Sequence, residues 1–313
     1  MESHAVPFRV TAALGVLAVM VGLLGAGCSS ASISSQRSGR IVVVGAENQY
    51  ASVLGQVGGK YIGVTAIMSN PNTDPHTFEA SPSVVQLVSS ARLVIQNGLG
   101  YDTFMNRIEA ASPNPKRRVI DVQTLLGLPD STSNPHLWYR PSTMPAVAKA
   151  AAADLSALEP AHASFFQANA ATFDASLKPW YQAIMKVKVE FPAAPVATSE
   201  PVCDYLLQSA GTYNLTPWPL QADIMNGVDP SPEDVSIQQS LFTQHRVRVF
   251  VYNQQVTDSL TQAFLSDAKQ AGIPVVGVYE TMPAPGYDYQ SWMLAETHAI
   301  YNAFKYKTST QRL

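Results

Sequence analysis

Apolar residues follow two patterns along the chain, and the patterns alternate. Continuous apolar runs, such as residues 41–44, are typical of strands buried on both faces of a sheet. Segments with apolar residues three or four positions apart, such as residues 50–57, predict helices. Further strand-like runs occur at residues 62–67, 92–96, 118–122, 195–198, 215–220, 247–252 and 275–279. Strands that alternate with helices indicate an α/β fold with parallel sheets covered by helices.

A helical stretch without strand signals interrupts this alternation at residues 143–188. Pro160 divides it, and residues 161–190 predict a helix about 40 Å long at 1.5 Å per residue, in which Pro179 could cause a kink. Such a helix either packs on one domain or bridges two, and the pattern leaves both open. We predict two parallel-sheet lobes, residues 41–160 and 191–313, with this long helix between them.

The N-terminus has the order of a secretory signal. Arg9 precedes an apolar run at residues 10–24, which ends in Gly-Ala-Gly-Cys at residues 25–28. This order predicts a signal peptide over residues 1–27, because the apolar run is shorter than the roughly 20 residues of a spanning helix. Cys28 stands where a bacterial lipobox places its lipidated cysteine. An ordinary cleaved signal and an uncleaved anchor remain alternatives, since a glycine precedes the cysteine by three positions.

Residues 28–40 are rich in serine and lack apolar periodicity, which predicts a flexible tether. We therefore expect an extracytoplasmic protein that is anchored to the bacterial cell membrane as a lipoprotein through Cys28. If Cys28 carries lipid, Cys203 has no cysteine partner and the folded part has no disulfide.

Composition and charge exclude several classes of protein. The 313 residues are 46% hydrophobic and 14% charged, which supplies a sizeable core and excludes global disorder. The formal net charge is −3, and the basic residues are scattered. Because no basic face is present, we expect no nucleic-acid partner.

Four side chains that suit a metal ion follow predicted strands. In open parallel sheets, ligands bind beyond the carboxyl ends of the strands. His76 and His136 lie in loops after such strands, each behind a proline, while Glu200 and Glu280 follow strands directly. Two imidazoles and two carboxylates can hold an ion such as Zn²⁺ or Mn²⁺. Each signal alone is weak, and the residues alone do not select these four from the other acids. Glu47 follows the first strand and could also reach the cleft.

Longer motifs resemble a known family, the metal-binding solute receptors of zinc and manganese ABC transporters. The resemblance extends from about Ile41 to the last helix. Its strongest motifs are Asp74-Pro75-His76-Thr77-Phe78-Glu79, Asn97-Gly98-Leu99-Gly100-Tyr101-Asp102 and Asn134-Pro135-His136-Leu137-Trp138, and the looser ones are Thr198-Ser199-Glu200 and Tyr279-Glu280-Thr281.

The resemblance implies a fold and a ligand set. The fold is two α/β lobes joined by one long rigid helix. His76 and His136 would be ligands from the first lobe and Glu200 the third ligand. The fourth ligand in the family is usually Asp, whereas the matching residue here is Glu280; Asp288 is the nearest substitute.

The resemblance also implies a monomeric receptor that captures Zn²⁺ or Mn²⁺ and delivers it to the permease of an ABC importer. Family members dedicated to zinc often carry a histidine-rich loop before the second Pro-His motif, but the loop at residues 123–133 has no histidine. This absence, together with Glu200 as a ligand, is not typical of a dedicated zinc receptor. The alternatives are a metal-binding surface adhesin, a metallohydrolase and a receptor for an organic solute. A metallohydrolase would need an open metal position for water, and the sequence contains no His-Glu-x-x-His motif. We expect no enzymatic activity.

Overall fold

The structure is a computed structural model that describes residues 39–70, 78–79, 81–283 and 285–313. Within them, eight strands form two parallel sheets of four strands each, in the orders β2-β1-β3-β4 and β6-β5-β7-β8. The strands are β1 Ile41–Glu47, β2 Ile62–Met68, β3 Leu93–Gln96, β4 Arg118–Asp121, β5 Pro195–Thr198, β6 Tyr213–Asn214, β7 Val249–Asn253 and β8 Val275–Val278.

Helices connect successive strands and cover the sheets, as parallel pairing requires. They are α1 Asn48–Gly58, α2 Pro82–Ser90, α3 Thr103–Ala111, α4 Val122–Leu125, α5 Thr143–Leu158, α6 Ala163–Ser176, α7 Lys178–Glu190, α8 Asp204–Ser209, α9 Trp218–Met225, α10 Pro232–Thr243, α11 Ser259–Gln270 and α12 Tyr289–Tyr306. The predicted α/β class with two parallel sheets is therefore confirmed. Among the described residues, no helix is long and apolar enough to span a membrane.

The two sheets share their register as well as their strand order. In the first sheet Gly45 of β1 pairs with Ile95 of β3, and in the second Thr198 of β5 pairs with Val251 of β7. Each pair is the third of three matched pairs between these strands. Beyond these pairs the strands differ, because β1 continues to Glu47, which pairs with Met68 of β2, whereas β5 ends at Thr198.

The segment between the sheets is helical but is not one unbroken helix. The predicted helix at residues 161–190 is divided into α6 and α7, with Leu177 between them at φ −77° and ψ −9°. Pro179 cannot donate to the carbonyl oxygen four residues before it, so α6 cannot continue through it; in the first turn of a new helix, α7, the missing N–H is tolerated, which explains the break. Helix α6 packs against α1 and α5, while α7 packs against α12.

One predicted extended segment is wrong. Residues 215–220 were expected to be extended, but β6 ends at Asn214 and α9 begins at Trp218. Proline lies in the first turn of α9, where a missing backbone N–H costs nothing and the fixed φ favours a helix start. Within this segment, Leu220 is buried from the helix, whereas Trp218 at its start is exposed.

Candidate metal-binding site

Asn97 ties the end of β3 to the turn that carries His136. Its side-chain Nδ2 donates to the carbonyl oxygen of Pro135 at 2.9 Å. Its Oδ1 accepts from the hydroxyl of Tyr50 at 2.6 Å. The backbone before His136 is thereby fixed against the first sheet.

The imidazole of His136 is completely buried, and its orientation is set by Asn134. The Nδ2 of Asn134 donates to the carbonyl oxygen of Pro201 at 2.8 Å, which fixes which end of the amide is oxygen. The Oδ1 of Asn134 then lies 2.8 Å from Nδ1 of His136 and accepts its proton. In the neutral ring this leaves the lone pair on Nε2, the arrangement that a metal ligand needs.

Glu280 brings a carboxylate from the second sheet to this imidazole. Its Oε2 lies 3.5 Å from Nε2 of His136, and both side chains are fully buried. The same oxygen accepts a hydrogen bond of 2.9 Å from the hydroxyl of Tyr101. The backbone N–H of Glu280 donates to Oε1 of Gln255 at 2.6 Å. These contacts hold the carboxylate at the carboxyl end of β8.

Asn253, the last residue of β7, bridges the two predicted acidic ligands. Its Nδ2 donates to Oε1 of Glu280 at 2.6 Å and to Oε1 of Glu200 at 3.2 Å. Its backbone N–H donates to the hydroxyl of Ser199 at 3.0 Å. Two buried carboxylates that would repel each other are thus held on either side of one amide group.

Tyr101 is a neutral donor between the sheets. Burial raises the pKa of its phenol well above the ordinary value of 10.0, and the charges of Glu280 and Glu47 raise it further. The hydroxyl therefore keeps its proton and donates a hydrogen bond to Glu280. The ring also contacts His136 edge-on, with centroids 5.8 Å apart.

Glu47 is a third carboxyl at this end of the sheets. It is the last residue of β1 and is fully buried, and its own backbone N–H is the one hydrogen-bond donor that acts on its carboxyl among the described residues. Burial, followed by the charge of Asp102, raises the pKa of this carboxyl well above 4.5.

The residues that follow Glu47 connect the two sheets. The Nδ2 of Asn48 donates to the carbonyl oxygen of Met282 at 2.7 Å, and the N–H of Met282 donates back to Asn48 Oδ1 at 2.8 Å. The Nε2 of Gln49 donates to the carbonyl oxygen of Glu280 at 3.2 Å. The start of α1 therefore holds the segment that carries Glu280.

Comparison with known proteins decides the family. Residues 43–303 match the family model of ZnuA, the periplasmic zinc-uptake complex component A. The chain belongs to this family.

Individual relatives of the ZnuA family are distant in sequence. The chain is 24% identical over 277 residues to the manganese ABC transporter substrate-binding lipoprotein PsaA of Streptococcus pneumoniae, covering 83% of this chain and 85% of that protein. A match to the manganese-binding lipoprotein MntA of Bacillus subtilis, 26% identical over 174 residues, covers 52% of this chain and spans about half of that protein (54%).

Solved structures agree with the fold. The periplasmic zinc-binding protein TroA of Treponema pallidum superposes with a TM-score of 0.71 at 17% identity, covering 85% of this chain and 98% of that protein. At this identity the likeness supports the fold alone.

The structure brings three of the predicted site residues of this ZnuA-family chain close to one another. Glu280 approaches His136 directly, and the side chain of Asn253 joins Glu280 to Glu200. His76 and Cys28 lie outside the described residues. Within the described ranges, no group of three or more His, Cys, Asp or Glu side chains has a geometry that could hold a metal ion.

Asp288, the substitute for Glu280, lies elsewhere. It is exposed and caps the N-terminus of α12, where its Oδ1 accepts from the backbone N–H of Ser291 at 2.9 Å. This carboxylate satisfies a helix end, whereas Glu280 lies beside His136.

Sequence reasoning missed the amides that position the acids. Asn253 ends a strongly apolar strand and so stands where ligands gather, but its role depends on two acids that are 53 and 27 residues away along the chain. Asn97 and Tyr101 belong to the motif at residues 97–102 that resembles the receptor family, but the resemblance assigned no role to either residue. The signal that could have identified them is the position of this motif directly after β3, where ligands bind in parallel sheets.

Proposed function

We propose that this protein is an extracytoplasmic receptor that captures a divalent transition-metal ion between its two sheets and delivers it to the permease of an ABC importer. The observation that carries the proposal is the approach of His136 Nε2 to Glu280 Oε2 at 3.5 Å. An imidazole from one sheet and a carboxylate from the other face each other in a buried position, which is where a captured ion would join the two halves.

The proposed ligands are His76, His136, Glu200 and Glu280. Two carboxylates balance the charge of a divalent ion, which lowers the cost of burying it. Imidazole nitrogen and carboxylate oxygen together suit Zn²⁺ and Mn²⁺, whereas thiolate-rich sites select softer ions. Four protein donors leave little room for a metal-bound water, so we propose a receptor without enzymatic activity.

The names of the relatives support both candidate ions as the cargo. PsaA and MntA are named for manganese, and the matching family model is named for zinc uptake. The relatives PsaA and MntA are also named lipoproteins, which supports an anchor at Cys28. We propose that the mature protein is a monomer held at the membrane surface by residues 28–40.

Elemental analysis tests the proposal. The full chain, purified without added metal, should contain close to one equivalent of zinc or manganese per molecule. After removal of the metal with a chelator, titration with either ion should restore one equivalent. A protein that is folded by circular dichroism and binds neither ion would overturn the proposed function.

A further inference from the structure

We infer that Glu296 and Tyr139 are positioning residues for the captured metal ion: a protonated Glu296 carboxyl and the Tyr139 hydroxyl form a hydrogen-bonded link that holds Glu280 against His136. The inference rests on the metal-receptor function proposed above and deepens it, because it says what fixes two of the proposed ligands relative to each other. Both side chains are completely buried, and neither would contact the ion.

Tyr139 joins the turn that carries His136 to the segment that carries Glu280. It ends a short 3₁₀ helix, Leu137–Tyr139, and its N–H donates to the carbonyl oxygen of His136 at 3.2 Å. Its hydroxyl lies 2.8 Å from the carbonyl oxygen of Tyr279 and donates to it, and Tyr279 directly precedes Glu280. One side chain therefore reaches from one proposed ligand to the neighbour of another.

Glu296 of α12 contacts both ends of this connection. Its Oε2 lies 2.6 Å from the hydroxyl oxygen of Tyr139, and its Oε1 accepts from the backbone N–H of Tyr279 at 3.2 Å. The indole N–H of Trp292, one turn earlier in α12, also donates to Oε1 at 2.8 Å. The carboxyl is thus fixed on its own helix while it contacts one residue of each segment.

The hydroxyl of Tyr139 has one proton but two close acceptors. The carbonyl oxygen of Tyr279 lies at 2.8 Å and Oε2 of Glu296 at 2.6 Å. Because a phenol donates only one hydrogen bond, an ionised Glu296 would leave one of these buried oxygens without its donor, which costs stability. With a proton on Oε2, Glu296 donates to Tyr139, which in turn donates to the carbonyl oxygen. The geometry therefore favours a neutral carboxyl.

The surroundings of Glu296 also favour the neutral form. Burial raises its pKa from 4.5 to about 8, because burial acts more strongly than the hydrogen bonds that lower it. The titratable groups that face it from neighbouring segments are Tyr139, Tyr279, Tyr289 and Cys203. Burial raises the pKa of each of these groups as well, so all four are uncharged at neutral pH. The link between the two segments is therefore complete at neutral pH.

Loss of the proton on Glu296 should loosen the site. The hydroxyl of Tyr139 would then donate to the carboxylate, and the carbonyl oxygen that precedes Glu280 would lose its donor. Residues that orient a metal ligand typically change metal affinity by about 10–100-fold. The opposite effect would follow if Glu296 acted through its charge, since a carboxylate attracts a cation.

The first test separates positioning from stability. In the full chain, freed of metal by a chelator, Tyr139→Phe should lose about tenfold or more in affinity for Zn²⁺ and Mn²⁺ in competition titrations. The control is Thr297→Ala, because Thr297 is a buried residue of α12 whose hydroxyl bonds to Trp180 and Met293 instead. The control should lower the melting temperature and keep both affinities. Equal affinities of Tyr139→Phe and the unchanged protein, or an equal loss in Thr297→Ala, would overturn the inference.

The second test uses a side chain that imitates the neutral acid. In Glu296→Gln the amide NH₂ can donate to Tyr139 while the amide oxygen accepts from Trp292, so this variant should keep both affinities at neutral pH. Above about pH 8 the unchanged protein should lose manganese affinity relative to Glu296→Gln, because only the unchanged protein has a proton to release. An affinity ratio that stays constant across this pH, or that moves in favour of the unchanged protein, would contradict the inference.

Infrared spectroscopy detects the proton on Glu296 without any metal. The difference spectrum between the metal-free unchanged protein and Glu296→Gln should contain the carbonyl band of a protonated carboxylic acid below about pH 8, and the band should disappear above it. Absence of the band at neutral pH would overturn the inference. If the band is present but the unchanged protein binds neither ion, the proposed function fails and the positioning role fails with it. If the ions bind and Tyr139→Phe binds them equally well, this inference alone fails.

Discussion

His136 Nε2 lies 3.5 Å from Glu280 Oε2, although the two residues belong to different sheets. An ion bound by both would close the space between the sheets and would stabilise only the folded state. Such binding raises the free energy of unfolding by RT ln(1 + [L]/Kd), about 4 kcal/mol at a thousandfold excess over Kd.

His136→Ala should therefore lose most of the metal-induced rise in melting temperature. The matched control is His298→Ala, because His298 is an exposed histidine on α12. The measurement is thermal unfolding with and without a saturating excess of zinc or manganese. A full-sized rise in His136→Ala would show that this imidazole is not a ligand.

The substitution Asn253→Ala should lower the free energy of unfolding more than a typical substitution at the protein surface. Its amide donates to both Glu200 and Glu280, so its removal leaves two buried carboxylates without that donor. We expect a loss of about 1–3 kcal/mol for each buried group left unsatisfied. Added metal should restore part of the loss, because the ion balances the same two carboxylates.

Chemical denaturation of Asn253→Ala with and without metal measures both effects. Asn226→Ala is the control, because the side chain of Asn226 is exposed and donates only to the nearby carbonyl oxygen of Ala222. A variant Asn253→Ala as stable as the unchanged protein would contradict the bridging role.

The sequence predicts local structure well where one residue pattern decides it. The apolar runs identify seven of the eight strands of the described residues, including the edge strands β2 and β4, whose side chains are only partly buried. The prediction of an extended segment at residues 215–220 was wrong, because an apolar segment with prolines suits a helix start as well as a strand. The break at Leu177 depends on a single missing hydrogen bond near Pro179, so only a possible kink could be foreseen.

The candidate site was harder to foresee because its contacts join distant parts of the chain. Glu200 and Glu280 follow strands, and that position alone made them candidates. Their contact through Asn253 depends on the order of strands in the second sheet, which the sequence does not display. The complete burial of Glu47 is visible only once the surrounding side chains are placed.

Because of Glu296, the free energy of unfolding should fall as pH rises. Burial raises its pKa from 4.5 to about 8. Between these values the unfolded chain has released the proton that the folded protein still holds, so the free energy of unfolding falls as pH rises through this window. Denaturation of metal-free Glu296→Gln from pH 4.5 to 8 should show a smaller fall than the unchanged protein. Parallel curves would contradict this role of Glu296.

Lipidation at Cys28 predicts a modified N-terminus. Protein extracted from membranes should begin at Cys28 and carry a diacylglyceryl group by mass spectrometry. Cys28→Ser should be released from the membrane, while Cys203→Ser should stay attached, because the thiol of Cys203 is buried in the folded part. An intact Met1, or cleavage at another residue, would contradict the prediction.

Selectivity between ions should depend on Glu200. By the usual order of stabilities, zinc binds more tightly than manganese to almost any site of nitrogen and oxygen donors, so the ligand set decides the size of this preference and not its sign. A carboxylate can bind through one or both oxygens and so can satisfy an ion that takes more than four donors. Glu200→His removes that option together with one negative charge.

Glu200→His should therefore lose manganese affinity by a larger factor than zinc affinity. Glu233→His is the control, because Glu233 is exposed in the first turn of α10. Competition titrations of the three proteins with both ions give the ratio of zinc to manganese affinity. The ratio should rise in Glu200→His and stay constant in Glu233→His. A ratio that is unchanged or lower in Glu200→His would mean that Glu200 does not set selectivity, and an oxygen donor that favours manganese would then have to come from Glu280.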